Sequence, residues 1–106
     1  MALVERLYRA TTAFPDSEKF GLMSQIRRAA VSVPSNIAEG AARASKKEFV
    51  HFLMIARGSL SELDTQLRIA INLGFASDLD LLVREVERLQ ASLGGLIKSE
   101  NAGISP

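Results

Sequence analysis

The chain has 106 residues, which is enough for one domain with a single hydrophobic core and too few for a second domain. Its composition, 47% hydrophobic and 24% charged with no cysteine, is typical of a globular protein and excludes disulfide bonds, a thiolate nucleophile and cysteine-based metal sites. The formal net charge is only +1, but residues 19–57 hold seven basic and two acidic residues, so this part of the chain is suited to face an anion.

The first two predicted helices lie on either side of a proline. The first spans about Ala2 to Ala13 and ends because Pro15 disfavours helical geometry in the residue before it. The second spans about Ser17 to Ala42, and its apolar positions recur at the spacing of one buried helix face: Leu22, Ile26, Ala29 or Ala30, Val33 and Ile37. Pro34 removes a hydrogen bond to the Ala30 carbonyl, so we expect a kink there with helix continuing beyond it.

The third predicted helix has recognisable signals at both ends. Ser45 and Glu48 match a capping box, in which the serine side chain accepts a hydrogen bond from the backbone N–H of the glutamate. An apolar stripe then continues to Leu73, and Gly74 is suited to a left-handed C-terminal stop. The sequence therefore predicts a helix from just after Ser45 to Leu73.

The fourth predicted helix begins within the segment Ser77–Asp80, and residues 101–106 are predicted to form a disordered tail. Short connections make successive helices antiparallel neighbours. The predicted fold class is therefore all-α, an antiparallel up-down-up-down four-helix bundle in one domain spanning residues 1–100, with its second helix kinked at Pro34.

The sequence lacks the signals of secretion and membrane insertion. Charged residues interrupt the apolar residues at the N-terminus, and no segment reaches the eighteen or so apolar residues that a membrane span needs. Together with the lack of cysteine, this favours a cytoplasmic protein that has no membrane partner.

The third helix has more apolar surface than one small bundle is expected to cover. Residues 49–56 are apolar at every position except His51, so apolar side chains point all round the helix axis. We therefore expect a second subunit to cover Val50 and Met54, which makes the protein a homo-oligomer. The alternative is that these two residues are scattered apolar positions on an ordinary surface.

No pattern of residues supports catalysis or a cofactor. Glu48 and His51 have the E-x-x-H spacing of di-iron bundle proteins, but that site needs a second such motif, and the chain has one histidine. The capping box already accounts for Glu48. A hydrolytic triad and a phosphate-binding loop are equally unsupported. The sequence predicts no catalytic residue, no metal, no cofactor and no small-molecule substrate, and therefore a protein that is not an enzyme.

The excess of basic residues is the feature most informative about a partner. Six of them are expected to meet where the second helix, the following turn and the third helix come together: Arg27, Arg28, Arg43, Lys46, Lys47 and Arg57. Such a surface is suited to phosphate contacts with a nucleic acid. The alternative is a solvated surface, or ion pairs between subunits, for which Arg28 and Glu39 are the best candidates because they share one polar stripe.

The segment Phe20–Gly40 contains Ser-Gln-Ile-Arg-Arg-Ala followed by Pro-Ser-Asn-Ile-Ala-Glu-Gly. It resembles the signature of the four-helix-bundle proteins encoded in intervening sequences of bacterial 23S rRNA genes, and the similarity continues from Glu48 to Gly74. The resemblance implies an antiparallel bundle that assembles into a ring-like homo-oligomer, with a pentamer as the expectation. The chain also resembles, more distantly, the pentameric accessory protein of diversity-generating retroelements, which binds nucleic acid through a basic surface.

Two functional hypotheses follow from the sequence. The first is a homo-oligomer that binds RNA or another nucleic acid through the six basic residues, without base specificity. The second is an oligomeric scaffold or adaptor whose basic residues and polar stripe serve assembly or a protein partner.

Overall fold

The computed structural model describes residues 2–104, which form four α-helices and one short 3-10 turn. The helices are α1 (Ala2–Thr11), α2 (Leu22–Ala41), α3 (Lys46–Leu73) and α4 (Leu79–Ala102). The 3-10 turn, Asp16–Glu18, lies between α1 and α2. Within the described residues there is no β-strand. This architecture confirms the predicted all-α, four-helix fold class.

The start of α2 differs from the prediction. The 3-10 turn separates residues 16–18 from the helix, which begins at Leu22 rather than at Ser17. The Glu18 carboxylate accepts a hydrogen bond from the backbone N–H of Leu22 at 3.1 Å. The first N–H groups of a helix have no partner within it, so this contact stabilises the observed start. From there α2 is continuous through Pro34 to Ala41, and the kink at the proline stays a prediction.

Both ends of α3 lie where the sequence predicts them. Ser45 is the N-cap, and its side chain accepts a hydrogen bond from the backbone N–H of Glu48 at 3.1 Å. At the other end Gly74 adopts a left-handed conformation with φ of 69°. Its N–H donates to the Ile71 carbonyl, and the N–H of Phe75 donates to the Ala70 carbonyl, each at 3.0 Å. This pair of bonds satisfies carbonyl groups that the end of the helix leaves free.

Replacing Ser45 with alanine is expected to lower the free energy of unfolding by about 1 kcal/mol, because one N–H of the first turn of α3 loses its acceptor. The Ser45→Asp variant should retain most of the stability, since aspartate is an equally good cap. Ser99→Ala, at an exposed position in α4, is the matched control and should have little effect. Urea denaturation of the three variants measures the difference. Equal stability of Ser45→Ala and Ser99→Ala would contradict the capping role.

The end of α4 lies beyond the predicted domain boundary. The helix includes Asn101 and ends at Ala102, and the side chain of Ile104 packs against the hydrophobic core. The predicted tail therefore begins too early, because an apolar residue after the helix still finds a buried surface to pack on. The last two residues of that tail, 105 and 106, lie outside the described residues.

The core is built around α3, which packs against both α2 and α4. Four leucines of α3 are almost completely buried, with no more than 1% of their surface exposed: Leu53, Leu60, Leu63 and Leu67. On the surface, Arg68 of α3 donates hydrogen bonds to Asp64 at 2.8 Å and to Glu87 of α4 at 2.9 Å. The hydrogen bond and charge of Asp64 raise the pKa of the Arg68 guanidinium above its ordinary value.

The contacts between α2 and α3 show how these two helices run relative to each other. Between α2 and α3, the hydroxyls of Ser32 and Ser59 share a hydrogen bond of 2.8 Å, and Gly40 lies against Phe52. A later residue of α2 therefore faces an earlier residue of α3. This is the order that antiparallel neighbours make, and the complete up-down-up-down arrangement stays a prediction.

Candidate functional site

The six basic residues of the predicted nucleic-acid surface lie at separate places on the molecule. Arg27 and Arg28 are near the start of α2, and Arg57 is exposed on α3. The remaining three, Arg43, Lys46 and Lys47, lie in and just after the connection between α2 and α3, and we call them the basic turn. At a rise of 1.5 Å per residue, the axis of α2 separates Arg28 from the basic turn by about 20 Å.

Arg27 connects α2 to α1. Its Nε donates to the Thr11 hydroxyl at 2.8 Å, and an Nη donates to the Tyr8 carbonyl at 3.0 Å. The guanidinium carbon also lies 4.6 Å from the centroid of the Tyr8 ring, within cation–π range. The sequence predicts Arg27 on the nucleic-acid surface, but two of its five N–H donors bind α1 and its guanidinium covers the Tyr8 ring.

The basic turn is exposed at one end of the elongated molecule, whose longest dimension is 49 Å. Arg43 forms an ion pair with Glu39, and its guanidinium carbon lies 5.0 Å from the centroid of the Phe52 ring. Lys46 lies beside Gly103 at the end of α4, where the helix dipole favours a positive charge. Lys47 is exposed. The basic turn therefore presents three cations, with one of them paired to a nearby carboxylate.

A polar groove lies between α2 and α3, and it was not among the sites predicted from the sequence. It encloses about 260 Å³ and is lined by Gln25, Arg28, Ser32, Ser59, Glu62 and Gln66. The Oε1 atom of Gln66 is buried and has no hydrogen-bond partner. A buried acceptor without a partner costs free energy, and because this atom is closed to solvent, a molecule in the groove does not reach it.

The residues predicted to form the subunit interface have different exposures. Val50 is only 6% exposed and belongs to the core, so the expectation that it is left uncovered is wrong. Because α3 lies between α2 and α4, most of its apolar positions are covered within the chain. Met54 is 49% exposed, as a subunit contact requires, and Ile55 beside it is 40% exposed.

Arg28 and Glu39, the predicted pair between subunits, are both exposed. Glu39 forms an ion pair within the chain with Arg43, which lies four residues later, just beyond the end of α2. Arg28 lines the polar groove near Glu62 rather than Glu39. Their contact across a subunit boundary stays a prediction.

The single histidine, His51, is exposed and packs edge-on against Phe52 at a centroid distance of 5.5 Å. Among residues 2–104 no three histidine, aspartate or glutamate side chains come together in a way that would bind a metal ion. Across the same range, none of the helices combines the length and hydrophobicity required to cross a membrane.

A family model described as 23S rRNA-intervening sequence protein matches residues 1–95, which is most of the chain and confirms the resemblance found in the sequence. No curated protein matches the chain.

Proposed function

Because the chain belongs to the 23S rRNA-intervening sequence protein family, we propose that it is a non-catalytic cytoplasmic homo-oligomer that binds RNA through its basic turn. A pentamer is the assembly that the resemblance implies. The observation that supports RNA binding is the position of Arg43, Lys46 and Lys47 together at one end of the molecule. Lysine and arginine side chains grouped in this way form sequence-independent contacts with phosphates.

Cyclic assembly would strengthen this site. Rotation about a symmetry axis leaves the height of every atom along that axis unchanged, so a ring of subunits presents all its basic turns on one level. A long RNA can then contact several turns at once, and the linked contacts bind more tightly than any single one. Weak individual sites are sufficient for such an assembly.

Two surface features support self-association. Met54 and Ile55 are neighbouring exposed apolar residues on α3. Burying apolar surface of this kind under a second subunit stabilises the assembly. The polar groove contributes Gln25 and Glu62, two exposed polar side chains that can hydrogen-bond with a neighbouring subunit. In this arrangement the interface lies along the middle of α3, and the basic turn at the start of α3 remains accessible.

The second candidate is an oligomeric adaptor that binds a protein partner and no nucleic acid. The ion pair between Arg43 and Glu39 favours it, because a paired arginine is less available to phosphate. We prefer the RNA hypothesis because Lys46 and Lys47 have no such ion pair among the described residues.

Reversing the charge of the basic turn, with Arg43→Glu, Lys46→Glu and Lys47→Glu combined, is expected to weaken RNA binding at least tenfold. Three lost phosphate contacts should also reduce the magnitude of the negative slope of log affinity against log salt by about 2–3. Fluorescence anisotropy of a labelled RNA hairpin, measured at several KCl concentrations, gives both values. The matched control reverses Arg9, Arg84 and Arg88, which are exposed elsewhere and change the net charge by the same amount.

Equal losses in the two triple variants would show that net charge, rather than the basic turn, governs binding. Wild-type protein that binds no RNA would favour the adaptor. Light scattering combined with the ratio of absorbance at two wavelengths, on protein purified at low salt, reports the oligomer mass and any bound nucleic acid together. A monomer in that measurement would contradict the proposed assembly.

A further inference from the structure

A second site lies at the other end of α2, where α1, the connection before α2 and the first turns of α2 enclose a cleft of about 420 Å³. Two aromatic residues line it, Tyr8 from α1 and Phe20 from the connection. Three basic residues line it as well: Lys19, Arg27 and Arg28. We call this site the aromatic cleft. The sequence alone did not bring Tyr8 and Phe20 together, because twelve positions and a helix end separate them.

Phe20 is the most exposed large hydrophobic residue of the described chain, with 91% of its surface open to solvent. Tyr8 is 40% exposed. A phenylalanine ring exposed to this degree gains free energy when another flat or apolar group covers it. Its exposure therefore indicates a binding surface rather than a structural role within the subunit.

Cations flank both rings. The Lys19 ammonium lies 5.6 Å from the centroid of the Phe20 ring, and the Arg27 guanidinium covers the Tyr8 ring. Arg28 is exposed at the wall of the cleft. Glu18, the acid next to Lys19 in sequence, directs its carboxylate to the backbone N–H of Leu22. The cleft therefore combines an open aromatic face with positive charge.

We propose that the aromatic cleft binds single-stranded RNA, with one unpaired base stacked on Phe20 and the adjacent phosphate held by Lys19. This inference rests on the proposed function, because it adds a base-contacting site to a protein that binds RNA. Aromatic rings interleaved with basic side chains are the usual means of binding single strands, since every base has a face that stacks. The basic turn then holds phosphates of either single or double strands.

A second copy of the chain is the other occupant that an exposed phenylalanine suggests. The charge of the cleft argues against a second cleft as that occupant, because two surfaces each lined by Lys19, Arg27 and Arg28 repel one another. RNA neutralises the same charges. The cleft therefore fits a polyanion with flat bases better than it fits the same cleft of a second copy.

The chain contains no tryptophan, so Phe20→Trp creates a single fluorescent reporter in the cleft. Oligo(U) is expected to quench this fluorescence to saturation, because a stacked base contacts the indole. Phe20→Leu and Phe20→Ala should each bind oligo(U) about fivefold to a hundredfold more weakly than the wild type, the loss expected from one stacked base. Leucine keeps an apolar side chain but has no π-face. The affinity that Phe20→Leu loses therefore measures base stacking separately from the burial of apolar surface. A duplex RNA of equal length should bind all four proteins with similar affinity.

Each other outcome overturns the inference. Wild-type binding of oligo(U) that Phe20→Leu and Phe20→Ala leave unchanged removes the cleft and leaves the basic turn as the RNA site. A fall in oligomer mass in Phe20→Ala, measured by light scattering, shows that Phe20 is a subunit contact. Absence of binding to both oligo(U) and duplex RNA by the wild type overturns the proposed function, and the cleft with it.

Discussion

Replacing Gly40 with valine is expected to lower the free energy of unfolding by about 3 kcal/mol or more, because the substitution overpacks a tight helix contact. Gly40 is buried in the last turn of α2, where α3 passes closest to it. A Cβ atom built on Gly40 would lie 2.8 Å from the Cβ of Phe52 and 3.1 Å from Cδ1 of Phe49. A Cβ atom cannot move as the end of a long side chain does, so the helices would have to separate.

Helix propensity alone predicts the opposite result. Glycine is about 1 kcal/mol worse than alanine within a helix, and valine is also better than glycine, so a substitution without steric conflict is neutral or stabilising. Gly95 in α4 is the matched control, since a Cβ there meets no atom within 4 Å. We expect Gly95→Val to change the stability by less than about 0.5 kcal/mol.

Chemical denaturation of the two valine variants at one protein concentration measures the difference, since the stability of an oligomer depends on concentration. Gly40→Ala should lie between the wild type and Gly40→Val. If Gly40→Val and Gly95→Val are equally stable, the close approach of α2 and α3 does not limit the residue at this position.

Replacing Arg27 with alanine is expected to lower the free energy of unfolding by about 2–3 kcal/mol and to detach α1 from the rest of the bundle. The substitution removes two hydrogen bonds donated by a charged group, to Thr11 and to Tyr8, together with the contact over the Tyr8 ring. Hydrogen exchange should become faster throughout α1, whereas the amides of α3 keep their protection. Arg27→Lys should recover only part of the loss, because lysine lacks the planar fork that reaches both acceptors.

Arg88→Ala, at an exposed position of α4, is the control for loss of an arginine and should leave α1 protected. A different result would support the prediction from the sequence that Arg27 contacts nucleic acid. If Arg27→Ala is as stable as the wild type and instead binds RNA more weakly, Arg27 acts on the nucleic acid rather than between α1 and α2.

The features that sequence predicts well here depend on local chemistry. The Ser45 cap and the Gly74 stop each involve residues within a few positions of one another, so their bonds follow from the sequence around them. The start of α2 shows the limit of the same approach. The apolar spacing does not reveal that the Glu18 carboxylate binds the N–H of Leu22, where the helix begins several residues later than predicted.

The features that sequence predicts poorly depend on which helices become neighbours. Val50 is buried and Met54 is exposed, although both lie in a segment that is apolar at every position except His51. The position of α3 between α2 and α4 determines which of these two residues is buried, and the local sequence does not contain that information. The same applies to Arg27, whose acceptors belong to a different helix, and to the aromatic cleft, which needs α1 and the connection before α2 to meet.

The central position of α3 also bears on how the chain folds. The connections 42–45 and 74–78 are short, and α2 and α4 both pack mainly on α3, the helix to which these connections join them. Closing short loops costs little chain entropy, and proteins whose contacts are mostly local fold quickly. We expect the two hairpins that share α3 to form first, and α1 to dock last onto a surface that already exists.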